Sequence, residues 1–308
     1  MTNVQQPVAE AGIVDPEAAD TSISGRLYGL LRRIPTWMLW LIVIVWSLPT
    51  VGLFVNGWRT RDSQRATGWW TVQLDELTFE NYDTVFTASA TTSLGESLLN
   101  SFAIAIPATI IPIAVAAFAA YAFAWIDFKG RKTLFIATVA LLAVPLQVAL
   151  IPLLQLYVGG AHYTIPIIDK TITIVPDWSL NGTAASVWLT HTGFALPFAI
   201  VLLHNYISGL PRDVFEAARI DGADHFTIFW RLVLPLSVPV LAAFAIFQFL
   251  WSWSVFLIAE TRAGTNPDAR PSTFLIGYLA GDCGRDEGVL PAAGVGLGVV
   301  ALGVVFAL

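Results

Sequence analysis

Charge is scarce in this sequence. Asp, Glu, Lys and Arg supply 12% of its 308 residues, apolar types supply 56%, and mean hydropathy is +0.69. A water-soluble domain carries about twice that charged fraction, so the shortage excludes a soluble globular chain and marks a membrane protein. The 16 bases are outnumbered by 22 acids and lie dispersed rather than in a stripe, which argues against a nucleic-acid partner. Cysteine occurs once, at Cys283, so no internal disulfide is possible and redox context is left open. The four histidines, His162, His191, His204 and His225, show no metal-ligand spacing. A glycine-rich phosphate loop is also missing. Gly130-Arg131-Lys132-Thr133 is the nearest approach and lacks both the spacing and the upstream glycine. The chain is therefore not expected to bind ATP itself. No serine or cysteine shows a base partner, and the chain is expected to be no enzyme and to bind no metal or cofactor itself.

What the sequence has is long apolar runs. Stretches able to cross a bilayer, about 20 residues each, lie near 37–55, 98–126, 133–157, 184–207, 236–258 and 289–308, predicting an all-α protein of six transmembrane helices. The run from Trp37 is too long for a signal-peptide core. Arg26, Arg32 and Arg33 precede it, and Asp127-Phe128-Lys129-Gly130-Arg131-Lys132 follows the second span; by the positive-inside rule both are cytoplasmic, as is the N-terminus. Arg59, Arg61 and Arg65 fall outside against that rule, in a segment also rich in acids. The expected organisation is a flexible cytoplasmic tail at 1–35, a first transmembrane helix at 36–58, an extracytoplasmic loop at 59–95 and a core at 96–308. Further external segments are expected near 158–183 and 259–288. The apolar run reaching Leu308 has no charged residue after Glu287, and a short basic tail is expected to follow it.

Residues 210–235 form a charged, helix-forming insert between two apolar runs. Pro211 suits a first helical position, Asp213 and Arg219 complement the helix dipole, Gly222 suits a left-handed exit, and Asp224 can cap a second helix. That helix carries Phe226, Ile228, Phe229, Trp230 and Leu232 up to Pro235. From the physics alone the pair is either a docking surface or an amphipathic loop on the membrane.

Glu216-Ala217-Ala218, Asp221-Gly222-Ala223, Ile228 and Leu234-Pro235 resemble the EAA loop of binding-protein-dependent ABC importer permeases. The resemblance runs from about Asn100 to Leu257, includes Phe128-Lys129-Gly130-Arg131-Lys132 and Ala195-Leu196-Pro197-Phe198, and is strongest to the second permease of maltose and α-glucoside importers. Leu77-Thr78-Phe79-Glu80-Asn81-Tyr82 resembles the periplasmic loop of the α-glucoside type. The resemblance implies the type I permease fold, a plasma or inner membrane location, and a mechanism of alternating access. It also implies four kinds of partner besides membrane lipid: a second permease, an ATPase dimer, an extracytoplasmic sugar-binding protein and a sugar as cargo. The coupling residues it implies are Glu216, Ala217, Ala218, Asp221, Gly222, Ala223, Ile228, Leu234 and Pro235.

Polar groups within the spans are candidates for a substrate path, with helix-to-helix bonding as the alternative. They are Gln147 and Gln155, eight residues apart and so on one face, and Gln248, with Trp251 and Trp253 as indoles able to pack on a sugar ring. Related permeases follow the tryptophan pair with asparagine and an acid, whereas Ser254 and Val255 stand here. Amino-acid or phosphate import, a secondary transporter and a scaffold are the rival readings; the spans' near lack of acidic residues speaks against ion-coupled transport.

Overall fold

The computed structural model describes residues 35–87, 94–166, 169–254, 257–258, 270–281 and 289–307. The expected tail up to residue 34, Cys283, Val255 and the end at Leu308 lie outside the described residues. The chain divides into two compact units, Met1–Val51 and Gly52–Leu308.

Helix α1 (Thr36–Gly57) is apolar on all sides, and Trp37, Trp40, Leu41 and Trp46 are exposed along it. Lipid tails are as apolar as these side chains, so this exposure suits a bilayer.

In the second unit, the segment after Gly57 folds around a buried cation. It forms α2 (Arg61–Ala66), a 3₁₀ turn at Leu74–Glu76 and α3 (Glu80–Thr87). Arg59 is fully buried. Its guanidinium donates to Asn56 Oδ1 (3.3 Å), to the carbonyls of Ser63 (2.9 Å) and Thr67 (3.3 Å), and to Thr67 Oγ1, and lies 3.4 Å from Glu76. The Asn81 amide donates to the Gly57 and Arg59 carbonyls, and the Gln64 amide to those of Asn56 and Arg59. Trp58 packs on Phe79 and Tyr82, with ring centroids 4.7 and 5.1 Å away, and burial pushes the Tyr82 phenol pKa up. Arg59, one of the arginines at odds with the positive-inside reading, is here a structural centre.

The core is a close pair of long helices, α4 (Leu94–Trp125) and α7 (Ala184–Ser208). Ala116, Ala117 and Ala120 of α4 are buried in one cluster with Ala195 and Ala199 of α7. Small residues let the backbones approach closely, the usual device where lipid removes the hydrophobic drive.

Between these helices the chain makes α5 (Arg131–Leu141), α6 (Leu146–Gly159) and an antiparallel hairpin of β1 (Ala161–Ile165) and β2 (Lys170–Val175). The span predicted over 133–157 is thus two helices meeting at 103°. Pro145 caps α6 in extended geometry, and the steric demand of its ring on Val144 ends the preceding helix. The hairpin lies within residues 158–183, for which no strand was predicted; its alternation of His162, Thr164, Thr171 and Thr173 against Tyr163, Ile172 and Ile174 is a strand period. Thr183 accepts the Ser186 N–H as the N-cap of α7.

The chain continues as α8 (Arg212–Ile220), α9 (His225–Ile228), a π turn (Phe229–Val233), α10 (Leu234–Leu236), α11 (Val238–Ser254), α12 (Ser272–Gly281) and α13 (Val289–Ala307). Among the described residues four helices, α1, α4, α7 and α13, are long and apolar enough to cross a membrane alone. The predicted six crossings are reached when α5–α6 and the bent run His225–Ser254 each count as one.

Candidate functional site

Residues 210–235 fold as a helix, a glycine turn and a second short helix. Pro211 is the N-cap of α8 and Arg212 its first helical residue, one position later than predicted. The helix stops in a two-bond motif: Gly222 N–H donates to Arg219 O, and Ala223 N–H to Ala218 O, both at 3.0 Å. Such a stop needs a left-handed residue, and Gly222 has φ +79°. Asp221 N–H donates to Ala217 O, so the spacing from Ala217 to Ala223 is the spacing of this stop. Asp224 then accepts the Thr227 N–H at 2.8 Å, and bonding to Thr227 holds its carboxyl below the usual carboxylate range.

Pro235 interrupts the regular hydrogen bonding of the second helix without ending it. The π turn lets Leu234 N–H reach Phe229 O, five residues back, and Ser237 N–H resumes with Val233 O, so the proline's missing donor falls within a local widening. The break follows at Ser237, where the axis turns by 69° into α11.

The loop has two faces. Inward, Phe215, Ile228, Phe229 and Val233 are buried in the α4–α7 core. The Phe215 ring stacks on Trp125 (3.8 Å, 13°), Phe229 stacks on Phe118 (4.5 Å, 22°), and Tyr121 Oη lies 2.8 Å from His225 Nδ1. Outward stand Glu216, Ala217, Asp221, Ile220, Phe226 and Trp230, with Phe226 67% and Ile220 86% exposed. Glu216 and Arg219 are both exposed and form no ion pair with each other, so the carboxylate is open to a partner.

The five residues expected along a substrate path are not brought together. Gln147 and Gln155 are exposed on α6. Trp253 is buried between Phe102 and Phe249. Trp251 is half-buried, edge-on to buried His191 at 5.4 Å. Gln248, 1% exposed, donates its amide to Ala108 O at 3.0 Å. Four residues beyond Ala108 stands Pro112, which has no N–H for that carbonyl. Gln248 therefore supplies from α11 the donor that α4 lacks. Replacing Gln248 with Leu is expected to destabilise the protein by about 1–3 kcal/mol, and adding Pro112→Ala, which restores the helix's own donor, is expected to recover part of the loss. Thermal unfolding in detergent checks this; an unaltered midpoint for the single variant would refute it.

Beside the elbow of the broken span is a cavity of about 320 Å³ lined by Leu141, Val144, Leu153, Tyr157, Thr190 and Phe194 among others, and by none of those five residues. The feature sequence reasoning missed is the aromatic stripe of Phe118, Tyr121 and Trp125. Their i, i+3, i+7 spacing on one helix was its visible signal.

The described helices long and apolar enough to cross a membrane, and a helix-turn-helix with one face open, define a membrane protein with a docking surface. The family model for the inner membrane component of binding-protein-dependent transport systems matches residues 113–308, and the chain belongs to this family. It is 44% identical over 272 residues to an osmoprotective compounds uptake permease protein of Synechocystis sp., covering 87% of this chain and 84% of that protein. It is 47% identical over 233 residues to an alpha-glucoside transport system permease protein of Rhizobium meliloti, covering 75% of this chain and 57% of that one. A chain in the crystal structure of a bacterial ABC transporter involved in the import of the acidic polysaccharide alginate has the same fold, with a TM-score of 0.69 over 93% of this chain and 96% of that chain at 15% identity. The protein is thus a membrane-embedded permease subunit with the ABC importer permease fold.

Proposed function

We propose that this chain is one of two permease subunits in an ATP-driven sugar importer, with an oligosaccharide or α-glucoside as cargo. Its other partners in this reading are an ATPase dimer, which holds the ATP and magnesium, and an extracytoplasmic sugar-binding protein. The observation that carries the reading is the two-faced loop: Glu216 and Phe226 are exposed on one side while Phe215 and Phe229 are locked into α4 on the other. A movement imposed on the free side is thereby delivered to a membrane helix. The coupling roles of Glu216, Ala217, Ala218, Asp221, Gly222, Ala223, Ile228, Leu234 and Pro235 follow: some form the stop, some anchor it, and Glu216 meets the ATPase.

The N-terminus and this loop are placed in the cytoplasm, which puts the Arg59 segment and the hairpin outside. For the sugar path we propose Trp251, with Gln147 and Gln155 on the open face of α6. The carbohydrate reading is supported by the alpha-glucoside transport relative. The Synechocystis relative favours a second cargo class, osmoprotective compounds. The test is uptake into vesicles holding the four-part assembly, with labelled α-glucosides and compatible solutes in parallel and ATP hydrolysis measured alongside. Sugar uptake with hydrolysis stimulated by loaded binding protein is expected. Hydrolysis indifferent to every cargo would overturn the proposal.

A further inference from the structure

We infer that Trp125 is the positioning residue through which movement of the docking helix α8 reaches the membrane helices; this rests on the importer reading above. Three routes lead from the loop into the bundle. One runs back along the chain, through the turn at Gly209 and Leu210 into α7. Another runs forward through α9 and α10 into α11, where the axis changes direction by 69° at Ser237. The third runs sideways. Phe118, Tyr121 and Trp125 form one stripe along the last turns of α4 and receive Phe229, His225 and Phe215 in turn.

Of these contacts, the Trp125–Phe215 stack reaches α8 itself, the helix that carries Glu216. Its rings are nearly parallel at 3.8 Å and Phe215 is 1% exposed, so α8 has little freedom to slide on α4. The same indole donates Nε1–H to Ile207 O at the end of α7 (3.1 Å). One side chain thus joins three elements: α8 by its face, α7 by its N–H, and α4 by its backbone. Because α4 and α7 are the packed core, what moves Phe215 moves both as a body.

The experiment uses the whole assembly in vesicles and reads sugar imported per ATP hydrolysed, together with the ATPase retained on purification. Trp125→Leu is expected to keep the ATPase bound and hydrolysing while the ratio falls roughly three- to tenfold, the range set by loss of one aromatic pair. Trp125→Phe, which keeps a ring and loses only the bond to Ile207 O, is expected to hold more of the ratio than Trp125→Leu. A wild-type ratio in Trp125→Leu would overturn the inference, and so would loss of the ATPase along with uptake, since Trp125 would then merely support the docking helix. If Trp125→Leu fails to accumulate, Phe215→Leu removes the other ring and is judged by the same two outcomes. Failure of the importer reading is distinguishable, because the wild-type assembly itself would then show no coupled uptake.

Discussion

Gly222→Val is expected to leave the protein inserted and paired with its partner permease while the ATPase is lost or hydrolysis is uncoupled from uptake. Gly222 has φ +79°, and a carbon added there meets nothing within 4 Å. The cost is therefore confined to the backbone, about 1–2 kcal/mol for a side-chain-bearing residue in the left-handed region, and is worse for a β-branched one. The chain escapes that strain by leaving the left-handed conformation, which breaks the bonds from Gly222 to Arg219 and from Ala223 to Ala218. It then re-aims α9, moving Phe226 and Trp230 relative to Glu216. One to two kcal/mol shifts the competent population by roughly five- to thirtyfold. Gly222→Asn, a residue that tolerates this region, is expected to retain much of the coupling, and Glu216→Lys, which reverses the charge offered to the partner but leaves the turn intact, is expected to do milder damage than valine. ATPase co-purification and uptake, measured on the same membranes, are the readouts. Full binding with full uptake in Gly222→Val would show that the loop is not the coupling surface.

That loop was legible because its determinants are local. A helix stop and a cap are each set by residues within a turn of one another, and Gly222 and Asp224 stand at the required spacings. The apolar runs were legible for the same reason. The elbow between Leu141 and Leu146 was only half legible: Pro145 announces a weak ladder, but nothing in the local sequence sets the 103° angle between the two helices. Least legible were tasks assigned across long sequence separations. Gln248 looks like any intramembrane glutamine until it is seen to face the carbonyl that Pro112 leaves without a donor, 140 residues away from it in sequence. Trp125 reads as an interfacial aromatic until Phe215 and Ile207 arrive beside it.

Arg59→Met is expected to collapse the segment between α1 and α4 and to cost more stability than either the loss of the Gln248 bond or the strain at Gly222. Arg59 is 0% exposed, and its guanidinium is the common donor to Asn56, Ser63 and Thr67 and the ion-pair partner of Glu76. Methionine fills much of the volume but donates nothing. The carbonyls of Ser63 and Thr67 lose a charged donor, and Glu76, only 21% exposed at its side chain, is left without the guanidinium. Removing one partner of a buried pair typically costs about 3–5 kcal/mol. Lysine keeps the charge but cannot spread donors over several acceptors in different directions, so Arg59→Lys is expected to recover only part of the loss. The Arg59 carbonyl itself accepts from Gln64 and Asn81, a backbone role that any substitution preserves, so the contrast between Met and Lys isolates the guanidinium. Under the importer reading this segment faces outside the cell, where it meets the binding protein. Limited proteolysis of sealed, outward-facing cells is therefore the direct measurement, with new cleavage expected within residues 59–87 of the Arg59→Met protein. A digestion pattern and thermal midpoint equal to wild type would mean that the aromatic clasp of Trp58, Phe79 and Tyr82 holds the segment without the buried charge.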